Sequence, residues 1–382
     1  MALDKKIMGA RAFLLSLLGL GIACGPSDQL IVGELEASVV YGTDDRLEVF
    51  NHPNAELQRV ARESVVALIP TSRITRLPQG HYGLDTFLLK DERDLCPDEP
   101  FGNQPVAASC SGALIADDLV LTAGHCISTQ RSCETFRYVF NYHLDGPDEL
   151  ALIEDEDVYS CKRVALETDS SGTDLTPDFA IIELDRPVEG GHKPLAIRPA
   201  TPLDEGDPVA MIGFGSGLPA KIDSGAYVAD ARADRLDFFV ANLDAFEGHS
   251  GAATFDSESQ LAGILLGGRV PDYVISPGEG CTRPNVFDDE DAGEIVHNIA
   301  PIVAALCDEG LGGEDLCGPD ACGGEPCGMP SVPGTGGDGA VGVVPADGGG
   351  CSAAPMGTPS PVPWVVLLLV LAARRFRSRQ VG

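Results

Sequence analysis

The sequence predicts an all-β fold, and two observations support that prediction. Short apolar runs recur between Ser64 and Gly267, and turn residues separate them, as in β-sandwiches and barrels. They occupy roughly 240 residues, which is enough for two small barrels. The runs are Ser64–Leu68, Leu119–Leu121, Phe136–Phe140, Phe179–Leu184, Val209–Phe214, Leu236–Val240 and Leu261–Leu266.

One helix is expected at the end of this region. Between Glu294 and Leu306 the large apolar residues fall at helical spacing, at Ile295, Ile299, Ile302, Val303 and Leu306. The next segment, 307–360, is rich in Gly, Pro, Asp and Ser and has few large apolar residues. Such a segment cannot bury a core, so we predict a Cys/Gly/Pro-rich linker there.

The N-terminus predicts export. Basic residues precede the apolar run Ala12–Ala23, which is the pattern of a secretory signal peptide over residues 1–23. Cys24 follows directly and is a candidate lipidation site, with an ordinary signal-cleavage region as the alternative. Residues 24–62 are interpreted as an N-terminal extension or propeptide.

The C-terminal segment 361–382 contains a short apolar stretch, Val362–Ala373, followed by four arginines. Its roughly twelve apolar residues fall short of the roughly 20 that a spanning helix needs. Together with Cys351-Ser352, the segment resembles the MYXO-CTERM protein-sorting tail, which implies processing at Cys351 by a sorting machinery. A genuine C-terminal anchor helix is the alternative.

The net charge argues against two classes of binding partner, and the cysteine content predicts disulfides. The chain has 58 acidic and 26 basic side chains and a net charge of -32, which argues against binding nucleic acid or anionic membranes through bulk electrostatics. Membrane contact is therefore expected only through the terminal signals. Twelve cysteines in an exported chain should be mostly paired. The acidic runs at 154–157 and 288–291 lack the spacing of calcium motifs, and neither a metal nor a cofactor is implied.

Three segments carry residues that suit nucleophilic catalysis. His125, Asp178 and Ser250 follow one another in that order along the chain. A serine needs an imidazole to remove its proton, and the imidazole needs a carboxylate to hold its tautomer. This chain order differs from Ser, acid, His in α/β-hydrolases and from Asp, His, Ser in subtilisins.

The contexts of these residues resemble the trypsin-like serine proteases of the chymotrypsin fold. The matching stretches are Cys110-Ser-Gly112 with Leu121–Cys126, Asp178–Ile182 and Gly248–Gly251. The resemblance implies two antiparallel six-stranded β-barrels with a C-terminal helix, in a protease domain at 63–306. It also implies a disulfide between Cys110 and Cys126. Cys133 with Cys161 and Cys96 with Cys281 are further candidate pairs, and the last four cysteines before residue 330 are expected to pair among themselves.

The residue before the candidate serine differs from that of trypsin. In trypsin an aspartate at this position is needed for the zymogen switch. Here it is His249, so no carboxylate can receive a new N-terminal ammonium. The segment Gly42–Arg46 is similar to a signature of the bacterial glutamyl endopeptidase-like branch. We therefore expect a member of this bacterial branch that lacks the zymogen switch of trypsin.

By resemblance, His125 acts as base and then acid, Asp178 orients it, and the amides of Gly248 and Ser250 form the oxyanion hole. Asp244 and Gly268 are the candidate substrate-binding residues. Asp244 lies where trypsin binds Lys or Arg side chains, and its alternative role is to cap a turn. Glutamate specificity is disfavoured because Leu265 stands where members with that specificity have histidine.

The sequence thus predicts an exported, surface-associated or extracellular serine endopeptidase that acts on proteins or peptides through an acyl-enzyme on Ser250. Two other functions remain open. One is a catalytically silent binding protein that keeps the fold, and the other is an esterase that uses the same residues.

Overall fold

The computed structural model of the chain describes residues 39–168, 177–233, 235 and 237–318. The chain divides into two units, Met1–Val332 and Pro333–Gly382, and every described residue belongs to the first. None of the described helices is long and apolar enough to cross a membrane. The predicted signal peptide and the C-terminal segment 361–382 lie outside the described residues.

Strands dominate the first half of the described chain. Its elements are β1 (Val40–Tyr41), β2 (Leu47–Glu48), α1 (Ala55–Glu63), β3 (Val65–Pro70), β4 (Ile74–Arg76), β5 (Tyr82–Leu84), β6 (Phe87–Leu88), α2 (Leu89–Arg93), β7 (Pro105–Val106), β8 (Cys110–Ala116), β9 (Leu119–Thr122), α3 (Gln130–Glu134), β10 (Phe136–Val139), β11 (Leu144–Gly146), β12 (Glu149–Leu150), β13 (Val158–Glu167) and β14 (Ala180–Leu184).

The second half is also mostly strand and ends in two helices. Its elements are β15 (Ala210–Gly213), β16 (Lys221–Asp223), β17 (Val228–Asp230), β18 (Phe238–Ala241), β19 (Ala253–Phe255), β20 (Leu261–Gly267), β21 (Tyr273–Ile275), β22 (Thr282–Pro284), β23 (Val286–Phe287), β24 (Glu294–Asn298), α4 (Ile299–Asp308) and α5 (Gly313–Cys317).

Six strands of the first half form a closed barrel in the order β10-β13-β14-β9-β8-β3. Their side chains alternate between two cores because successive residues of a strand point to opposite faces. In β14, Ala180 and Ile182 belong to the core inside the barrel, whereas Ile181 belongs to the core that also contains residues of the second half. The barrel strands are therefore buried on both faces.

The second half forms an eight-stranded sheet in the order β17-β18-β24-β20-β19-β15-β16-β2. Just before β15, Pro208 bridges Tyr227, and Val209 N donates to Ala226 O at 3.0 Å. Because this bridge links the start of β15 to the start of β17, the six strands from β17 to β15 curve towards a closed ring. Strands β16 and β2 extend the sheet beyond β15. The predicted all-β class with two strand assemblies is thus confirmed. In the second assembly a single bridge, rather than a full strand ladder, joins β17 to β15.

One predicted element has the wrong boundary. The helical spacing at 294–306 predicts a single helix, but Glu294–Asn298 is strand β24 and only Ile299–Asp308 is helix. β24 pairs with β18 on one side and β20 on the other, so tertiary pairing overrides the local pattern. Helix α1 was not predicted. It begins after Asn54, whose side chain accepts from two backbone amides of the first turn.

Four disulfides join described cysteines. Cys110–Cys126, Cys133–Cys161 and Cys96–Cys281 are the pairs that the sequence suggested. Cys307 pairs with Cys317, within the C-terminal group of four as expected. The other two cysteines of that group lie outside the described residues.

Candidate active site

Strand pairing brings the histidine and the aspartate together. His125 lies in the short 3-10 turn Gly124–Cys126 that follows β9, and the Cys110–Cys126 disulfide ties this turn to β8. Asp178 lies two residues before β14, whose Ala180 is paired with Thr122 of β9. Both residues therefore leave the barrel at the same end of the β9–β14 pair.

The carboxylate of Asp178 contacts His125 at two points. Oδ2 is 2.7 Å from the ring Nδ1, and Oδ1 accepts the backbone N–H of His125 at 2.9 Å. Because a carboxylate accepts, the proton sits on Nδ1 and the lone pair is left on Nε2. Asp178 is buried, whereas the His125 side chain is 37% exposed, so its other edge can meet a substrate.

Gly124 allows this close approach. A Cβ at this position would lie 2.5 Å from Asp178 Oδ1 and 2.8 Å from Thr168 O. Any side chain here would push the carboxylate away from the histidine. The glycine thus contributes to the geometry of the pair.

The serine lies at the boundary between the two strand assemblies. Ser250 O accepts from Ser111 N in β8 at 2.9 Å and lies 3.9 Å from the sulfur of Cys126, next to the histidine. The following residue, Gly251, donates to Leu265 O in β20 at 2.8 Å. Among the hydrogen bonds of the described residues, none joins the His125 ring to the Ser250 hydroxyl. Catalytic hydrogen bonds of unliganded enzymes are often long and tighten when substrate binds.

The backbone amides around the serine differ in whether they donate a hydrogen bond within the described part of the chain. The amides of His249, Gly251 and Ala252 donate to Phe246 O, Leu265 O and His249 O at 2.7–2.8 Å. Within the described part of the chain, the amides of Gly248 and Ser250 donate to no acceptor. We call this pair the oxyanion amides.

The carbonyls that precede these two amides are held in place. Glu247 O accepts from Ser216 N at 2.5 Å, and His249 O accepts from Ala252 N at 2.7 Å. Since the N–H and C=O of a trans peptide point in opposite directions, these bonds fix where the amides of Gly248 and Ser250 point. Two fixed donors of this kind can hold a negatively charged oxygen, which is the role that the sequence predicts for them.

Two glycines with positive φ shape this loop. Gly248 has a φ of +98°, and a Cβ there would lie 2.7 Å from Phe214 O. Gly251 has a φ of +81°, and a Cβ there would lie 2.3 Å from Ser111 O. Other residues would be strained at both positions.

His249 faces the protein interior. Its Nδ1 accepts the backbone N–H of Phe246 at 2.9 Å, and its ring lies against Gly215, where a Cβ would come within 2.3 Å. Burial, together with the nearby charges of Arg46 and Lys221, lowers the pKa of His249 to about 3. The imidazole is thus neutral and accepts a backbone hydrogen bond in the protein interior.

Asp244 precedes the serine loop and is buried under residues near the start of the described chain. Its Oδ1 accepts from Tyr41 N at 2.8 Å and its Oδ2 from Asp45 N at 3.1 Å. Its own amide donates to Asp223 Oδ2 at 2.7 Å. Burial raises the pKa of Asp244 to about 7 and that of Asp223 well above its ordinary value. The carboxylate thus accepts two backbone amides of a segment about 200 residues earlier in the chain.

Gly268 follows β20 and faces a buried carboxylate that the sequence did not single out. A Cβ on Gly268 would lie 2.0 Å from Glu294 Oε2. Glu294 Oε1 accepts from Tyr41 Oη and from Arg269 N, both at 3.2 Å, while Oε2 has no hydrogen-bond donor among the described residues. Burial raises the pKa of Glu294 to about 8.

Metal ligation has little support in the described residues. Their one group of three metal-type side chains is Cys96, Glu279 and Cys281, and the two cysteines are already joined as a disulfide. In the acidic run at 154–157, Asp155 pairs with Arg76 and Asp157 with His192. The two processing candidates, Cys24 and Cys351, lie outside the described residues.

Comparison with known proteins gives one family match. The model of the trypsin-like peptidase domain matches residues 110–264, which span the histidine, aspartate and serine segments. A solved Glu endopeptidase in complex with MPD is similar at 16% identity and a TM-score of 0.42, over 71% of this chain and 100% of that chain. An inactivated protease paralogue of the scabies mite is similar at 18% identity and a TM-score of 0.41, over 69% and 96%.

Proposed function

We propose that the protein is a serine endopeptidase. The observation that carries the proposal is the pairing of Asp178 with both the ring and the backbone of His125, beside a serine loop with two unbonded amides. This arrangement supplies a base with a fixed tautomer and a site for negative charge. The match of residues 110–264 to the trypsin-like peptidase domain supports the same conclusion.

In the proposed reaction, Ser250 Oγ attacks the carbonyl carbon of a peptide bond while its proton moves to His125 Nε2. The oxyanion amides hold the negative oxygen of the tetrahedral intermediate. The C–N bond then breaks, and the leaving amine takes the proton from Nε2, which leaves an acyl-enzyme. A water molecule then attacks the acyl carbon while His125 Nε2 takes its proton. The bond between the acyl carbon and Ser250 Oγ breaks as Nε2 returns that proton to Oγ, which releases the carboxylic acid product.

The proposed substrates are proteins or peptides, cut after Lys or Arg. Support comes from the net charge of -32 and from the exposed carboxylate of Glu247 next to the serine loop, which pairs with Arg93. Asp244 is not part of this support, because it is buried and both of its oxygens accept backbone amides. Cleavage after glutamate, as the glutamyl branch would suggest, is the competing specificity.

We further propose that the protein is exported and displayed or released at the cell surface. Four disulfides among the described residues support an oxidising compartment. The proposed sorting tail at 361–382 would be processed at Cys351. Mass spectrometry of the mature protein from its native host would test both ends, because a retained residue 1 or 382 would contradict the processing.

The decisive experiment compares the purified protein with a Ser250→Ala variant on a diverse peptide library, with cleavage sites identified by mass spectrometry. We expect serine-dependent cuts in the parent only, since loss of a catalytic serine lowers kcat by about 10⁶-fold. Serine-dependent hydrolysis of small esters without any peptide cleavage would favour the esterase. No difference between parent and variant on either substrate class would contradict the proposal and favour the binding protein.

A further inference from the structure

The residues that lead into the serine are held by a distant part of the chain. We call Val39–Arg46 the strap, because it lies along the loop 243–247. Val39 O accepts from Ala245 N at 3.2 Å, and the amides of Tyr41 and Asp45 donate to Asp244, as described above. The strap thus contacts both the backbone and a side chain of this loop.

The strap ends in a buried cation. Arg46 is 6% exposed, and its Nε and Nη2 donate to the two oxygens of Asp44 at 2.8 and 2.6 Å. Its guanidinium lies 4.0 Å from the ring centroid of Phe246, and Phe101 is the next nearest aromatic ring at 5.2 Å. A desolvated guanidinium over an aromatic face is attracted by the ring quadrupole, so Arg46 fixes the plane of the Phe246 ring.

Phe246 in turn fixes His249. Its amide donates to the His249 ring at 2.9 Å, and its carbonyl accepts the His249 amide at 2.8 Å. His249 lies between the two residues whose amides are free, Gly248 and Ser250. A continuous series of contacts therefore runs from Arg46 through Phe246 and His249 to the oxyanion amides.

We propose that Arg46 is a positioning residue that keeps the oxyanion amides aimed at the reacting carbonyl. It touches neither substrate nor the serine, and it acts through Phe246 and His249. The guanidinium suits this role because it stays charged at every working pH and presents a flat face to the ring. This inference rests on the proposed function, because the oxyanion amides matter only if Ser250 acts as a nucleophile.

A positioning role and a purely structural role predict different kinetics. If Arg46 only stabilises the fold, its loss lowers the amount of folded enzyme and leaves kcat per active site unchanged. If it aims the amides, the folded enzyme turns over more slowly while KM changes little, because the amides contribute mainly in the transition state. Loss of one oxyanion donor costs about 10²–10³ in kcat, so misaiming the pair should cost about 10–100-fold.

The test compares Arg46→Met and Arg46→Gly with the parent, on the full purified chain. The kcat values are normalised to folded enzyme, measured by the serine-reactive fraction and by thermal unfolding. Arg59→Met is the matched control, because Arg59 is an exposed arginine on α1 whose partners are Glu56 and Glu63. We expect the control to match the parent. We also expect millimolar guanidinium to restore part of the activity of Arg46→Gly, because the ion can occupy the space that the side chain vacates.

A second readout needs no turnover. Hydrogen–deuterium exchange of peptides covering 243–250 should be faster in Arg46→Met than in the parent or in Arg59→Met. Parent-like exchange together with parent-like kcat per active site would overturn the inference. A parent without serine-dependent turnover would contradict the proposed function instead, and the exchange experiment would still decide whether the strap holds the loop.

Discussion

The two halves of the site are held by different kinds of interaction. In the histidine half, ladder pairing of β9 with β14 and a disulfide next to His125 set the positions of two side chains that contact each other directly. In the serine half, glycines, a buried neutral imidazole and a strap from about 200 residues earlier set the direction of two backbone amides.

This difference has an energetic meaning. Strand ladders repeat a local geometry, whereas the serine half depends on single contacts between groups that are costly to bury. In Asp223, Asp244, Glu294 and His249 burial shifts the pKa towards the neutral form of the side chain. We therefore expect substitutions in the histidine half to affect chemistry most, and substitutions in the serine half to couple activity with pH-dependent stability.

The largest expected effect among the following predictions belongs to the histidine half. Asp178→Asn should lower kcat by about 10⁴-fold, because the amide can donate to Nδ1 and so favours the wrong tautomer of His125. The free energy of unfolding should change far less than this factor implies. Steady-state kinetics and urea unfolding on the same preparation check both statements, and a loss of activity below tenfold would mean that Asp178 does not orient the base.

In the serine half, Gly248→Ala should lower kcat by about 10²–10³-fold. The added Cβ would clash with Phe214 O and force the oxyanion amide to turn. Gly206→Ala is the control: Gly206 has a similar φ of +88° but nothing within 4 Å of the added carbon. The control should lose about 1 kcal/mol of stability from backbone strain and keep its kcat. Equal kinetic losses in both variants would rule out a local effect on the amide.

The buried carboxyl of Glu294 predicts a pH dependence of stability. Its pKa is raised from 4.5 to about 8 in the folded protein, so the folded state binds a proton more tightly than the unfolded chain across this range. The free energy of unfolding should therefore fall as the pH rises from about 4.5 to about 8, by a few kcal/mol from this group. Glu294→Gln cannot titrate and should make the profile less steep, while the buried Asp223 and Asp244 keep part of the dependence. Parallel profiles for parent and variant in urea unfolding would contradict the assignment.

His249 predicts an effect of similar size and opposite sign on the acid side. Its pKa is lowered to about 3 on folding, so the unfolded chain binds the proton more tightly below pH 6.5. Stability should fall as the pH decreases from about 6.5 to about 3, and His249→Asn should fall less steeply while keeping an acceptor for Phe246 N. Because His143 and His297 are buried and shifted in the same direction, only part of the acid loss should disappear. An unchanged acid slope would mean that His249 is already charged in the folded protein.

Much of the histidine half could be predicted from sequence because its signals are local. The segments around His125 and Asp178 each carry a motif next to an apolar strand, and short apolar runs bounded by turn residues identify the strands. The serine half could be predicted only in part. The sequence leaves two roles open for Asp244, because the amides that it accepts belong to Tyr41 and Asp45, which no local pattern connects to it. Glu294 falls within the predicted helix because its neighbours also fit a helical period, and only pairing with β18 and β20 reveals the strand.

The disulfide between Cys96 and Cys281 joins positions 185 residues apart in sequence, and these enclose His125, Asp178 and Ser250. A cut at any one peptide bond between the two cysteines therefore leaves both fragments covalently attached. If another peptidase, or a second copy of this protein, cuts one peptide bond in a surface loop between these two cysteines, the two fragments stay joined. The two ends of a nicked chain would separate on a gel only after reduction.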